Sequence, residues 1–378
     1  ASVNRESDAR KTPRPLLPPI TLYDLPPDLP TLPALFKNAG LLCFHVGKWH
    51  LGDAAHPPER YGFDLNIGGT HWGAPATFFH PFRGPSGTSG EYRHVPGLGL
   101  GKPGDYLTDR LTDEAVRLID EAGDRPFFLN LWFHGPHTPI EGKPDLVEAY
   151  ARKVRPEFRH RNPKYAAMVH SLDENVGRVL EALDRRGLAS RTLVVFASDN
   201  GGYTNHFRGE KVTDNTPLRS GKGSLYEGGI RIPLIVRWPG VTPAGSECRE
   251  PVLCTDLYRT LAELAGASAT QLASGMDGES LVPLLRDPSG RLPREALYFH
   301  FPHYYSTTTP VSAIRTRTWK LLRYHEDDRL ELYDLASDPG ETRDLADAET
   351  ERARELRTKL SDWLRDVGAQ MPLAASPK

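Results

Sequence analysis

Cysteine is scarce in this chain: Cys43, Cys248 and Cys254 are the only three among 378 residues. So few thiols exclude a disulfide framework at this length. Cys248 and Cys254 could bridge a small loop, and unpaired thiols are the expectation. Long apolar runs are also lacking. No stretch approaches the roughly 20 uninterrupted apolar residues of a membrane helix, so no membrane span is expected. Neither sign of charge is in excess, with 47 Lys plus Arg against 49 Asp plus Glu and a net charge of -2. Without a bulk positive field, nucleic acid and anionic membranes are not expected partners, and any anion site must be a local cluster. The chain opens on Ala1 without a basic-then-apolar leader, which reads as a processed, trimmed or incomplete N-terminus. No internal repeat or low-complexity tract is present.

Glycine and proline are abundant, 34 of each, and lie dispersed between periodic segments. That pattern reads as long ordered loops on a scaffold. The length calls for a large domain, residues 1–290 with an irregular lead-in over 1–25 and order from near Asp28, plus a smaller one at 291–378. Residues Leu32 to Ala39 suit a short helix stopped by Gly40, and Leu41 to Val46 a buried strand ending at Gly47. A long Gly-, Pro- and aromatic-rich stretch runs from Asp53 to Gly104, the length of a functional loop or lid. Leu107, Leu111, Ala115, Leu118 and Ala122 recur at helical spacing, and Pro126 to Phe133 reads as a fully buried strand. Tyr165, Met168, Leu172, Val176, Val179 and Leu183 stripe a long amphipathic helix closed by Gly187. Thr192 to Ala197 and Ile232 to Val236 are further buried strands, and Asp256 to Ala265 a helix. This alternation predicts an α/β fold, a largely parallel sheet sandwiched by helices, with the site at the strands' C-terminal ends. Beyond residue 290, Ser312 to Tyr324 and Arg329 to Leu335 read as antiparallel strands. Leu356, Leu360, Trp363, Leu364 and Val367 then mark a last helix, making a small C-terminal α+β domain.

Four polar groups border the buried strands: Gly47-Lys48-Trp49-His50-Leu51-Gly52, His134-Gly135-Pro136-His137-Thr138-Pro139, Ser198-Asp199-Asn200-Gly201-Gly202 and Gly221-Lys222-Gly223-Ser224-Leu225-Tyr226-Glu227-Gly228-Gly229. If the strands are parallel, all four meet at one rim. Asp199 and Asn200 offer adjacent oxygen donors, the preference of a hard cation, Ca2+ ahead of Mg2+. Lys48 and Lys222 add fixed positive charge, while His50 and His137 can donate to an oxyanion or move a proton near neutral pH. Together they make a pocket for a tetrahedral oxyanion ester, whose hydrolysis is the expected chemistry.

Each group also has a plainer reading. Asp199-Asn200-Gly201 is a turn signal, Lys48 a solvated cation after a strand, and His50 a histidine satisfied by backbone. His134 and His137 could punctuate a Pro-rich loop, and Lys222 could sit in an exposed turn. His71, His80, His170, His206 and His303 lack a comparable setting and read as structural. Gly68 to Phe82 reads equally as a sugar-facing wall or as ordinary loop packing. Joint placement beside buried strands favours the functional reading.

The four motifs also resemble, in order, those of the sulfatase family within the alkaline phosphatase superfamily, in the style of the arylsulfatase A and N-acetylgalactosamine-6-sulfatase branch. Glu331 to Ala346, ELYDLASDPGETRDLA, is similar to the family's C-terminal hairpin region. The resemblance covers most of the chain from about Leu25 onward and implies an alkaline-phosphatase-like fold. It further implies that Asp199 and Asn200 are Ca2+ ligands, that Lys48 bridges nucleophile and sulfate, and that His50 helps release sulfate. His137 and Lys222 would bind sulfate and assist the leaving group. Asn200, where phosphatase relatives tend to have histidine, fits one calcium rather than two zincs. Sulfated carbohydrate or an aryl sulfate is the implied substrate, and an extracytoplasmic location the implied compartment.

The family pattern is incomplete here. Its members begin with a strand bearing two adjacent aspartates and a Cys or Ser in C/S-x-P-x-R that matures to formylglycine, and neither motif occurs in these 378 residues. Cys43, Cys248 and Cys254 all lack the Pro and Arg, and Ala1 to Arg5 keeps only the arginine spacing. The expectation is a sulfatase-family hydrolase of sulfate esters that retains an anion-binding half-site and is inactive alone. Without its nucleophile no covalent intermediate forms, and the cation lacks oxygens. A phosphodiesterase or phosphonate monoester hydrolase, and a non-catalytic sulfoglycan-binding protein, are the rival readings.

Overall fold

A computed structural model describes residues 14–86, 90–268 and 277–375. Ala1 to Arg5 and most of the irregular lead-in lie outside the described residues. Among them, β1 (Leu16–Leu17) and α1 (Leu32–Asn38) precede β2 (Leu42–Gly47), β3 (Leu65–Ile67) and the hairpin β4 (Arg83–Ser86) and β5 (Glu91–His94). Then come α2 (Leu107–Ala122), β6 (Phe127–Trp132), α3 (Pro144–Ala151), α4 (Pro163–Arg185) and β7 (Val194–Ala197). A small hairpin, β8 (His206–Phe207) and β9 (Glu210–Lys211), leads to α5 (Glu227–Ile230), β10 (Leu234–Arg237), α6 (Cys254–Leu264) and α7 (Val282–Arg286). The chain ends with β11 (Leu297–Phe301), β12 (Val311–Arg315), β13 (Trp319–Tyr324), β14 (Leu330–Asp334), α8 (Thr350–Asp366) and β15 (Leu373–Ala374).

The parallel sheet has the order β3-β2-β6. Alternation along β2 sends Phe44 and Val46 to one face, where Leu107, Leu111 and Leu118 of α2 cover them. Cys43 goes to the other face and meets Phe36 of α1. Helices thus lie on both faces, as the α/β reading requires.

Three local features differ from the sequence expectation. β10 runs antiparallel to β7, Leu234 opposite Ala197, so Gly221 to Gly229 reaches the rim by preceding an antiparallel strand. A parallel β10 would have carried that group to the opposite end. Second, β6 is half-buried rather than fully buried, and Trp132 is 42% exposed. Among the described residues, β6 is hydrogen-bonded on one side only, to β2, and β7 to β10 alone, so each keeps an open edge there. Third, the Asp53–Gly104 stretch is not all loop, since it contains β3 and the β4–β5 hairpin, while β1 pairs with β15 inside the supposed lead-in.

Beyond α7, the antiparallel sheet β11-β12-β13-β14 carries α8 on one face. Ser312 to Tyr324 is two strands, because Thr316 Oγ1 accepts from Trp319 N–H at 3.0 Å and closes the turn between them. Cys43 is buried and free, and Cys248 and Cys254 are exposed and unbridged.

Candidate anion site

Three of the motifs follow a strand, β2, β6 or β7, and the fourth precedes β10. Lys48 N–H continues the β2–β6 ladder by donating to Trp132 O at 2.7 Å. Gly47 takes φ +104°, and a Cβ there would lie 2.0 Å from Trp132 O, so only glycine lets the chain turn this close to β6. In the residues that follow, Trp49 enters the core and donates from Nε1 to His56 O at 2.8 Å. His50 is anchored through its N–H to Thr70 O at 2.9 Å. Gly73 lies against its ring, where a Cβ would come within 2.4 Å of Cε1.

After β6, His134 O accepts from His137 N–H at 3.0 Å, and His137 Nδ1–H donates to Thr138 O at 3.0 Å. That tautomer leaves Nε2 with a lone pair. At the end of β7, Asn200 Nδ2 donates to Gly201 O at 2.9 Å, so Oδ1 is the atom left for a cation. Lys222 N–H reaches back to Gly202 O at 3.0 Å, and its carbonyl accepts from Thr307 Oγ1 at 2.9 Å.

The groups act on one another electrostatically. Burial pushes the Lys48 ammonium below its ordinary pKa, opposed by Asp199. Lys222 is lowered by burial and by Lys48, again opposed by Asp199. His50 and His137 are each pushed down to about 4, chiefly by burial, with Lys48 adding to the first and Lys222 to the second. Two ammonium groups and one carboxylate thus feel one another's charge, beside histidines whose pKa is pushed down to about 4. Such an arrangement favours an anion.

His134 went unassigned from sequence. It is 5% exposed, neither ring nitrogen has a hydrogen-bond partner among the described residues, and burial lowers its pKa to about 3. Lys48, His137, His45 and His50 add to that shift, so it belongs to the same cluster. The motif His-x-x-His was the available signal. Phe78 and Phe82 of the Gly68–Phe82 stretch are core residues, while Thr70 to Gly73 shelves His50.

For a metal, Asp199 and Asn200 offer at most three side-chain oxygens, and the neighbouring groups are lysines and histidines. Calcium takes about 6 to 8 oxygens, so these residues alone do not form its cage. Elsewhere among the described residues, Asp24, Asp53 and His56 bring three potential ligand atoms within 4.8 Å of one another, at a largely exposed position.

Comparison with known proteins decides the family. The family model described as Sulfatase matches residues 11–267, and that of N-sulphoglucosamine sulphohydrolase, C-terminal, matches 221–370. The chain belongs to the sulfatase family. This sulfatase-family chain is 39% identical over 280 residues to a protein named Sulfatase from Formosa agariphila, covering 69% of itself and 50% of that relative. It is 31% identical to Homo sapiens arylsulfatase A, covering 87% of itself and 69% of the relative. The chain thus spans about half the length of its Formosa agariphila relative. The crystal structure of Ps i-CgsB in complex with k-i-k-neocarrahexaose aligns over 92% of this chain and 77% of its own, with TM-score 0.73 and 29% identity. A structure in complex with its substrate D-glucosamine-2-N,6-O-disulfate shares the fold, with TM-score 0.69 and 22% identity over 90% of this chain and 83% of its own. The alkaline-phosphatase-like α/β fold inferred from the motifs is the fold of these neighbours. No helix among the described residues is long and apolar enough to cross a membrane.

Proposed function

We propose that this chain carries the sulfate-binding half of a sulfuric ester hydrolase acting on extracytoplasmic sulfated carbohydrate. The observation that carries the reading is the tie between the loops that bear Lys222 and Asp199–Asn200, where Lys222 N–H donates to Gly202 O at 3.0 Å, and the charges of Lys48, Lys222, His137 and Asp199 act on one another. Lys48 and Lys222 stabilise the charge on the non-bridging sulfate oxygens. Binding a dianionic or monoanionic sulfate between them raises the pKa of His137, whose Nε2 then takes up a proton and donates it to the departing sugar oxygen. His50 serves the second half of the reaction, drawing a proton from the group that expels sulfate. Asp199 and Asn200 would supply part of the oxygen shell of a Ca2+ ion, which would help neutralise charge on the sulfate oxygens. A neighbour in complex with k-i-k-neocarrahexaose, together with family membership, supports carbohydrate as the substrate class.

The nucleophile is the missing part. The family's C/S-x-P-x-R motif does not occur among these 378 residues, and the sulfate-binding groups need such a nucleophile for a covalent turnover. Supplying an N-terminal segment with paired aspartates and a maturable cysteine, then assaying aryl sulfate beside aryl phosphate, tests the proposal. Sulfate ester turnover lost with Lys222→Ala or His137→Ala is expected. A preference for the phosphate ester, or turnover indifferent to both substitutions, would overturn it. Tight sulfoglycan binding that persists while the completed protein stays inactive would favour the non-catalytic reading.

A further inference from the structure

The loop bearing Asp199 and Asn200 and the loop bearing Lys222 are joined by one side chain that belongs to neither. Asn215 Nδ2 lies 3.1 Å from Gly202 O, 3.0 Å from Ser220 O and 3.0 Å from Gly228 O. A carboxamide nitrogen has two hydrogens, so three carbonyls share two donors through a bifurcated bond. Gly202 O also receives the Lys222 N–H, and Gly201 N–H donates to Gly229 O at 2.9 Å. Three backbone segments therefore turn carbonyl oxygens toward a single amide. Without a donor among them, those oxygens would repel one another and lose their hydrogen bonds.

The packing leaves no room for a substitute. A Cβ on Gly202 would lie 2.4 Å from Asn215 Oδ1, and one on Gly201 would lie 1.9 Å from Gly228 O. Backbone meets backbone across this junction, and Asn215 is the side chain inserted into it. A second tie reaches the same loop from the segment that follows β14, without involving Asn215: Glu227 N–H donates to Glu341 Oε2 at 2.7 Å.

We propose that Asn215 is a positioning residue, the staple that holds the Lys222 loop against the Asp199–Asn200 loop and so fixes where the Lys222 ammonium stands in the anion site. It acts through the backbone of Gly202 and Lys222. The task of Lys222 rests on the sulfate-binding reading above, whereas the geometry of the staple does not.

Site-resolved amide hydrogen exchange on the full chain tests the staple, with inorganic sulfate titrated in a separate arm. In Asn215→Ala, the Lys222 and Gly201 amides exchange about 10-fold faster, while the Glu227 amide and those of α4 keep their protection. Asn215→Asp, the same shape with no donor, gives the same pattern. Unchanged exchange at Lys222 and Gly201, or acceleration of all amides in step, would overturn the proposal. If neither variant folds, the unaltered chain still decides: the Asn215 side-chain NH2 protons exchange slowly if the staple exists and at the rate of an exposed asparagine if it does not. In the sulfate arm, Kd rises about 10-fold in the variants, one decade of the usual affinity scale. Faster Lys222 exchange with an unchanged sulfate Kd would leave the staple standing and remove the sulfate-binding role of Lys222.

Discussion

Lys320 on β13 places its Nζ 3.0 Å from Oε1 of Glu227, the first residue of α5, and both side chains are buried. Glu341 completes the group, with Oε1 2.8 Å from the same ammonium and Oε2 accepting the Glu227 N–H. A lysine with 0% exposure is tolerable only because two carboxylates face it. The C-terminal sheet thus grips the segment that follows Lys222, 93 residues earlier in sequence.

Lys320→Met keeps the bulk and leaves Glu341 buried without its ammonium partner, while Glu227 keeps only Arg315, whose Nε is 3.7 Å away. Breaking a buried pair in this way costs about 3–5 kcal/mol. Urea unfolding should show that loss, and adding Glu227→Gln and Glu341→Gln to the variant should recover most of it. A single variant as stable as the parent would contradict the arrangement.

The buried histidines set the pH dependence of stability. His45, His50 and His137 are held at about 4, and His134 at about 3, against an ordinary value of 6.5, chiefly by burial. Between pH 6.5 and 4 the unfolded chain binds more protons than the folded one, so stability rises with pH across that window. Their stabilising contribution is full above about 6.5 and is lost as pH falls toward 4. Urea midpoints at pH 7.5, 6 and 5 should decline in that order, and a flat profile would contradict it.

Sulfate binding should run the other way with pH. A bound anion raises the pKa of His137 and His50 above about 4, so the complex takes up protons. Affinity for inorganic sulfate therefore increases as pH falls from 7.5 to 5.5. Calorimetric titration in buffers of different ionisation enthalpy reads the uptake directly, and proton release would refute the assignment.

Removing one lysine should separate stability from binding. Lys222→Met abolishes a repulsion with Lys48 and the cost of burying a charge, so the melting temperature without ligand holds or rises. At about 100 times its Kd, sulfate stabilises the parent by about 2.7 kcal/mol, and the variant loses that increment. Differential scanning with and without sulfate checks both halves.

The sequence made the periodic parts of this fold legible. Leu107, Leu111, Ala115, Leu118 and Ala122 define α2 at the bounds where it occurs, because one apolar face suffices to name a helix against a sheet. β3 could not be read, since Leu65-Asn66-Ile67 is three residues long and takes its register from β2. The direction of β10 was hidden as well, because a buried strand shows the same apolar run whichever way it points. Of the candidate site, Lys48, His50, His137, Asp199, Asn200 and Lys222 stand out by motif. Asn215 and Lys320 did not, as an asparagine before Thr-Pro reads as a turn and a lysine in Trp-Lys-Leu-Leu reads as the wet face of a strand. Their roles depend on partners distant in sequence: for Lys320, Glu227 and Glu341; for Asn215, the carbonyls of Gly202 and Gly228.

A double-mutant cycle on inorganic sulfate affinity, with Lys48→Ala, Lys222→Ala and both together, tests convergence most directly. If the two ammonium groups hold one anion, each single variant weakens binding at least 10-fold, roughly 1.4 kcal/mol, and the double costs clearly less than their sum. Strictly additive losses, or a single variant that binds sulfate like the parent, would mean the lysines do not share a ligand.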